Sequence, residues 1–176
     1  MDRKLLEVAR NSIKKSLGLS FKDVVVKKEW QENRATFVTL TINKNLRGCI
    51  GSIEARQSIY EDIRHNAYSA AFNDPRFPPV TSDELDNIKI EISILTPLKE
   101  IIYNTEEDIL KSIIPFKMGL LLEHGFYRGT FLPQVWEHFN EPKDFFNHLK
   151  QKAGLSIDFF DPQMKLYYYE VEKCQE

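Results

Sequence analysis

Ile88, Ile90, Ile92 and Ile94 fall on every second position of the chain. Only an extended strand, with its side-chain period of two, places all four on one side, so this segment buries one face of a sheet. A second alternating run, Ala35 to Ile42, sets Val38, Leu40 and Ile42 against Phe37, Thr39 and Thr41. Asn43-Lys44-Asn45 is a tight connection into a third run, Leu46 to Ile53, so these two read as a hairpin.

Helical periods are interspersed among the strands. Leu5, Ala9, Ile13 and Leu17, widened by Leu6, mark a first helix that Gly18 stops. Ser58-Ile59-Tyr60-Glu61 has capping-box spacing. The helix it opens carries Ile59, Ile63, Ala67, Ala70 and Ala71 and must end by Asn73, because Pro75 turns its predecessor away from helix. Thr81-x-x-Glu84 opens a short helical turn, and Thr105 caps a helix through Ile113 that Pro115 ends. Phe145, Phe146, Leu149 and Ala153 form a last stripe, with Lys150 and Lys152 near its end and Gly154 beyond it. Met118 to Glu123 and Phe126 to Leu132 read as strands around His124-Gly125. Lys165 to Val171 reads as one closing strand, in which Tyr167, Tyr168 and Tyr169 alternate. Strands and helices mix without regular β-α-β order, which predicts an α+β fold, a mostly antiparallel sheet flanked by helices. The length of 176 residues fits a single domain, 1–176.

Composition narrows the function classes. There are 24 basic and 26 acidic residues, spread along the chain, for a net charge of −2. Nucleic-acid binders carry a basic domain or stripe, so nucleic acid is a disfavoured partner. No apolar run approaches the roughly 20 residues that span a bilayer, and the N-terminus shows no signal-peptide core. Cys49 and Cys174, far apart, make neither a disulfide framework nor a zinc spacing. These features predict a cytoplasmic, reduced protein. His65, His124, His138 and His148 form no i, i+4 pair and no metal constellation; His124, in a turn, is an acid–base candidate. Phosphate-loop and dinucleotide fingerprints are absent, so no cofactor and no metal are expected.

Candidate chemistry concentrates in two segments. The first, L-R-G-C-I-G-S-I from Leu46 to Ile53, places glycines inside a strand, which marks a bulge or a close approach by another backbone or a ligand. In a regular strand Arg47 and Cys49 share a face, roughly 7 Å apart, and the guanidinium would favour a nucleophilic thiolate. A cysteine is equally at home as a small buried hydrophobe. The second segment, Asp74-Pro75-Arg76-Phe77, is stiffened by Pro75, Pro78 and Pro79. It holds Asp74 and Arg76 for a ligand, or pairs them to organise the turn, with Phe77 as an anchor to the core. Glu54, Glu61 and Asp62 either line a cleft or form a solvated face.

These residues carry a family resemblance. Leu46-Arg47-Gly48-Cys49-Ile50-Gly51 resembles the hallmark motif of the AMMECR-one domain family. Further matches follow in that family's order. They are Ala71 to Pro79 (A-F-N-D-P-R-F-P-P), Glu84-Leu85, Ile90 to Pro97 (I-E-I-S-I-L-T-P), Gly119 to Leu122, Thr130 to Glu137, and Lys152-Ala153-Gly154-Leu155. Ser52 departs in a minor way from the residue expected after the last motif glycine. The L-P-Q-V-W-E form is similar to the bacterial branch, protein A of the AmmeMemoRadiSam system. The resemblance implies a larger lobe and a smaller lobe with the motif near a cleft between them, and a MEMO-like protein and a radical SAM protein as partners. It leaves the activity open. Cys49 becomes the candidate catalytic thiol, and Arg47, Gly48, Gly51, Asp74 and Arg76 the candidate ligand-binding positions. The expected function is a component of a multi-protein system whose inter-lobe cleft binds a small molecule or partner segment. A nucleic-acid-binding regulatory module and a non-catalytic scaffold are the alternatives.

Overall fold

The structure, a computed structural model, describes residues 1–176. In chain order its elements begin with α1 (Lys4–Ser16), β1 (Thr36–Ile42), β2 (Asn45–Gly51), α2 (Ile59–Phe72), α3 (Ser82–Leu85) and β3 (Ile88–Leu95). They continue with β4 (Lys99–Glu100), α4 (Glu106–Ser112), β5 (Gly119–His124), β6 (Tyr127–Phe131), α5 (Pro142–Ala153), β7 (Lys165–Tyr169) and β8 (Val171–Gln175). Two compact units result, one of residues 1–95 with 172–176 and a smaller one of residues 96–171. The fold is α+β, with two antiparallel four-stranded sheets rather than one.

The first unit is built on the sheet order β2-β1-β3-β8. Val38, Leu40 and Ile42 stand opposite Ile92, Ile90 and Ile88, which fuses the two alternating runs into one apolar face. That face packs with α1, through Leu5, Leu6, Val8, Ala9 and Ile13, and with α2, through Ile63, Ala67, Ala70 and Ala71. Asn43 and Lys44 both adopt positive φ, 51° and 66°, the geometry that lets a two-residue turn match the twist of a hairpin. Ser58 caps α2 by accepting from the Glu61 N–H at 3.3 Å, and Asn73 follows its last turn. Cys174, on β8, lies in this core, where burial pushes its thiol pKa up.

In the second unit the order is β4-β7-β5-β6. Its core is aromatic: Trp136 stacks on Phe145 with centroids 3.8 Å apart, and its indole N–H donates to the Met118 carbonyl at 2.8 Å. Tyr169 is buried and its hydroxyl pKa is pushed up to about 12 by that burial. Lys150 is 0% exposed; its ammonium donates to Glu106 at 3.0 Å and to the Phe159 carbonyl at 3.4 Å. Gly154, at φ 92°, ends α5.

One expectation needs correcting. The closing strand, read as Lys165 to Val171, is β7 and stops at Tyr169; past Glu170, Val171 already begins a further strand, β8, in the other sheet. The Glu170 N–H donates to Thr96 Oγ1 and its carbonyl accepts from the Thr96 N–H, both at 2.9 Å. The uninterrupted β-forming residues conceal a break that these tertiary hydrogen bonds impose. No helix is long and apolar enough to cross a membrane.

Candidate functional site

The motif strand β2 is the outer strand of the first sheet, paired on one side only, with β1. Gly48 is there because α2 comes too close for anything larger. A Cβ at this position would lie 2.1 Å from the Ala70 carbonyl oxygen. At Gly51 it would meet the Phe37 ring at 2.3 Å and the Thr36 carbonyl at 2.4 Å. Both glycines therefore serve close approach by the protein itself.

Just before Gly48 the strand departs from regularity. Leu46 stands opposite Thr41 and Gly48 opposite Leu40, so Arg47 is the extra residue of a bulge. The bulge breaks the alternation on which a shared Arg47–Cys49 face depended, and that expectation is overturned. Arg47 is buried and gives two hydrogen bonds to Glu84, Nε to Oε1 at 2.8 Å and Nη2 to Oε2 at 2.9 Å. This guanidinium, with help from the Thr81 N–H, holds the Glu84 carboxyl down to about 2. Glu84 in turn caps α3 through Thr81. The arginine expected to support the thiol is thus committed to a carboxylate.

Cys49 points the other way. It is partly exposed, and its Sγ lies 3.3 Å from Thr39 Oγ1 on the sheet face that α1 and α2 do not cover. Its backbone is held from outside the sheet. The Cys49 N–H donates to Asp74 Oδ2 at 2.9 Å, and its carbonyl accepts from Arg76 Nη2 at 3.3 Å. The D-P-R segment thereby takes the place of a neighbouring strand for this one residue.

Asp74 has no capacity left for a ligand. Besides the Cys49 amide it accepts from Arg76 Nε at 2.9 Å, Arg76 Nη2 at 2.7 Å and the Arg76 N–H at 3.1 Å. The Arg76 guanidinium first, and the two amides after it, hold its carboxyl well below the usual carboxylate range. Arg76 differs: its side chain is 53% exposed, so it is the cation that solvent reaches beside Cys49. Phe77 lies between the two arginines, its ring centre 5.9 Å from the Arg47 and 5.6 Å from the Arg76 guanidinium carbon. It anchors the loop through these cations and is not part of the apolar core cluster.

One cluster escaped the sequence reading. Asp62 is buried, and its Oδ2 accepts from the Thr36 N–H at 2.8 Å, Thr36 Oγ1 at 2.6 Å and Asn66 Nδ2 at 3.0 Å. Gln57 Nε2 donates to Oδ1 at 2.9 Å. The network fastens the start of β1 to α2. The i, i+4 pair Asp62 and Asn66 on the apolar side of α2 was its signal. Glu61, by contrast, pairs with Arg64 on the surface, and His124 faces Asp161 at 3.7 Å and the Phe159 ring. No three His, Cys, Asp or Glu side chains gather in a metal-ligating group.

A two-unit α+β fold with a bulged, glycine-flanked cysteine strand defines the class of protein. The chain belongs to the AMMECR1 family, which it matches over residues 6–174. Protein MJ0810 of Methanocaldococcus jannaschii is 41% identical over 151 residues, 84% of this chain and 75% of its own length. Protein NEQ441 of Nanoarchaeum equitans is 34% identical over 98% of both chains. The crystal structure of uncharacterized protein PH0010 from Pyrococcus horikoshii superposes with a TM-score of 0.85 at 33% identity, covering 99% of this chain and 90% of that one.

Proposed function

We propose that the Cys49 face of the first unit is a binding surface for a small molecule or a partner segment, with the thiol as its reactive atom and Arg76 as its exposed cation. The observation that carries this reading is the clamp on Cys49. A partly exposed thiol, outside the core, has its residue's backbone N–H and C=O both tied to a stiff loop. Such support fixes a side chain to the tolerance that binding and thiol chemistry require. Arg76 replaces Arg47 in the supporting role.

The system is part of the proposal. The L-P-Q-V-W-E block supports membership of the bacterial branch, with a MEMO-like protein and a radical SAM protein as partners and a cytoplasmic setting. A nucleic-acid role finds less support, since Arg10, Arg47, Arg64 and Arg76 are each paired with a carboxylate.

The test is alkylation of both cysteines in the folded protein against pH, read by peptide mass spectrometry. Cys49 is expected to react and Cys174 to stay protected until unfolding. Cys49→Ser is expected to keep the fold and abolish the activity of the reconstituted system. A Cys49 inert until the chain unfolds, or a serine variant of full activity, overturns the thiol role.

A further inference from the structure

We infer that the open face of the first sheet takes a small anion, one carrying phosphate or carboxylate groups, in a depression beside Cys49. This inference rests on the binding surface proposed above and names its ligand class. The depression measures about 420 Å3 and is lined by Thr39 and Thr41 of β1, Lys44 of the hairpin turn, Lys89 and Glu91 of β3, and Glu176 just past the end of β8. That volume lies in the range of small-molecule sites, about 300–1,000 Å3.

Charge selects the occupant. Glu91 is occupied by Lys173 at 3.2 Å. Glu176 is occupied by Arg10 and by the Ile90 N–H. Lys44 and Lys89 have no carboxylate partner within ion-pair distance, so with Glu91 and Glu176 each already paired to another cation, the lining carries two unpaired ammonium groups beside two hydroxyls. No aromatic side chain lines it, which leaves a nucleobase without a stacking platform and favours a small anion over a nucleic acid.

Register connects this cavity to the thiol. Thr41 stands opposite Lys89 in β3, and Thr39 stands opposite Glu91 on one side and Cys49 on the other. Thr39 thus lines the depression and touches Sγ at 3.3 Å. An anion held by Lys44 and Lys89 lies one strand away from Cys49.

The experiment is titration of the full-length, 15N-labelled chain with inorganic pyrophosphate and, separately, with citrate at about 0.15 M salt. Saturable amide shifts are expected at Thr39, Thr41, Lys44 and Lys89, and the stronger probe distinguishes phosphate from carboxylate recognition. Lys44→Gln and Lys89→Gln should each weaken binding about tenfold, and Lys14→Gln should not. Shifts scattered over surface lysines, absence of saturation at millimolar probe, or unchanged affinity in both variants overturns the inference. Alkylation of Cys49 in the same samples separates the two claims. Anion binding with an inert Cys49 removes the thiol role and keeps the site; a reactive Cys49 with no anion binding removes the site alone.

Discussion

The two units use charge in opposite ways. Around β2 the charges close into two pairs, Arg47 with Glu84 and Arg76 with Asp74, and each pair locates backbone: a helix cap at Thr81 in one case, the Cys49 peptide in the other. In the second unit a single ammonium, Lys150, sits within an aromatic core and ties α5 to Glu106 and the Phe159 carbonyl. Charge that locates backbone has no apolar substitute, because the amides it satisfies would be left unpaired. Charge spent mainly on another side chain, as Lys150 is on Glu106, does have one, since a buried ion pair recovers little more than its own desolvation.

The largest effect is expected where β2 tolerates no atom at all. Gly48→Ala drives a methyl into the Ala70 backbone carbonyl, which no rotamer change can move aside, and should cost about 3 kcal/mol or more in urea unfolding. Gly125→Ala, at φ 58° with open space around it, should cost only about 1–2 kcal/mol. Next comes the second unit. Glu106→Ala leaves the Lys150 ammonium without its carboxylate and should cost about 3 kcal/mol, whereas Lys150→Met should stay within about 1 kcal/mol of the parent. Equal losses in the two variants would break the contrast drawn between the units.

Asp74→Asn is expected to cost about 2 kcal/mol at neutral pH and to speed Cys49 alkylation by loosening its clamp. Its pH signature sharpens the point. Asp74 and Glu84 are held below their unfolded values of about 3.9 and 4.3. Their contribution is therefore complete above those values and is lost as pH falls through the folded ones, about 2 for Glu84 and lower for Asp74. Urea unfolding followed from pH 6 to about 2 should fall in stability below about pH 4, with a shallower slope in Asp74→Asn. Cys49→Ser should be the mildest change, below about 1 kcal/mol.

Local signals carried most of the architecture. Period and caps located α1, α2, α4 and α5, because Ser58, Thr105, Gly18 and Gly154 act within a turn of the residues they limit. The four isoleucines identified β3 for the same reason. Two-sheet organisation was illegible, since Glu170 parts β7 from β8 through Thr96, 74 residues away. The site was half legible. Cys49, Asp74 and Arg76 were singled out, and the Asp74–Arg76 pair was one of the two readings of its loop; that the loop grips Cys49, and that a bulge removes Arg47 from the thiol, are properties of tertiary packing and of pairing register with β1. Lys150 read as an ordinary helix-end lysine; only the folded core reveals its burial.

The loop that grips Cys49 also decides how copies of this chain meet. An outer strand offers its free amides and carbonyls to any other extended chain, and so invites edge-to-edge aggregation. At the middle of β2 that invitation is withdrawn, because Asp74 and Arg76 already occupy the outward N–H and C=O of Cys49. A thiol can therefore stay accessible at a sheet margin while incoming strands find no ladder to extend.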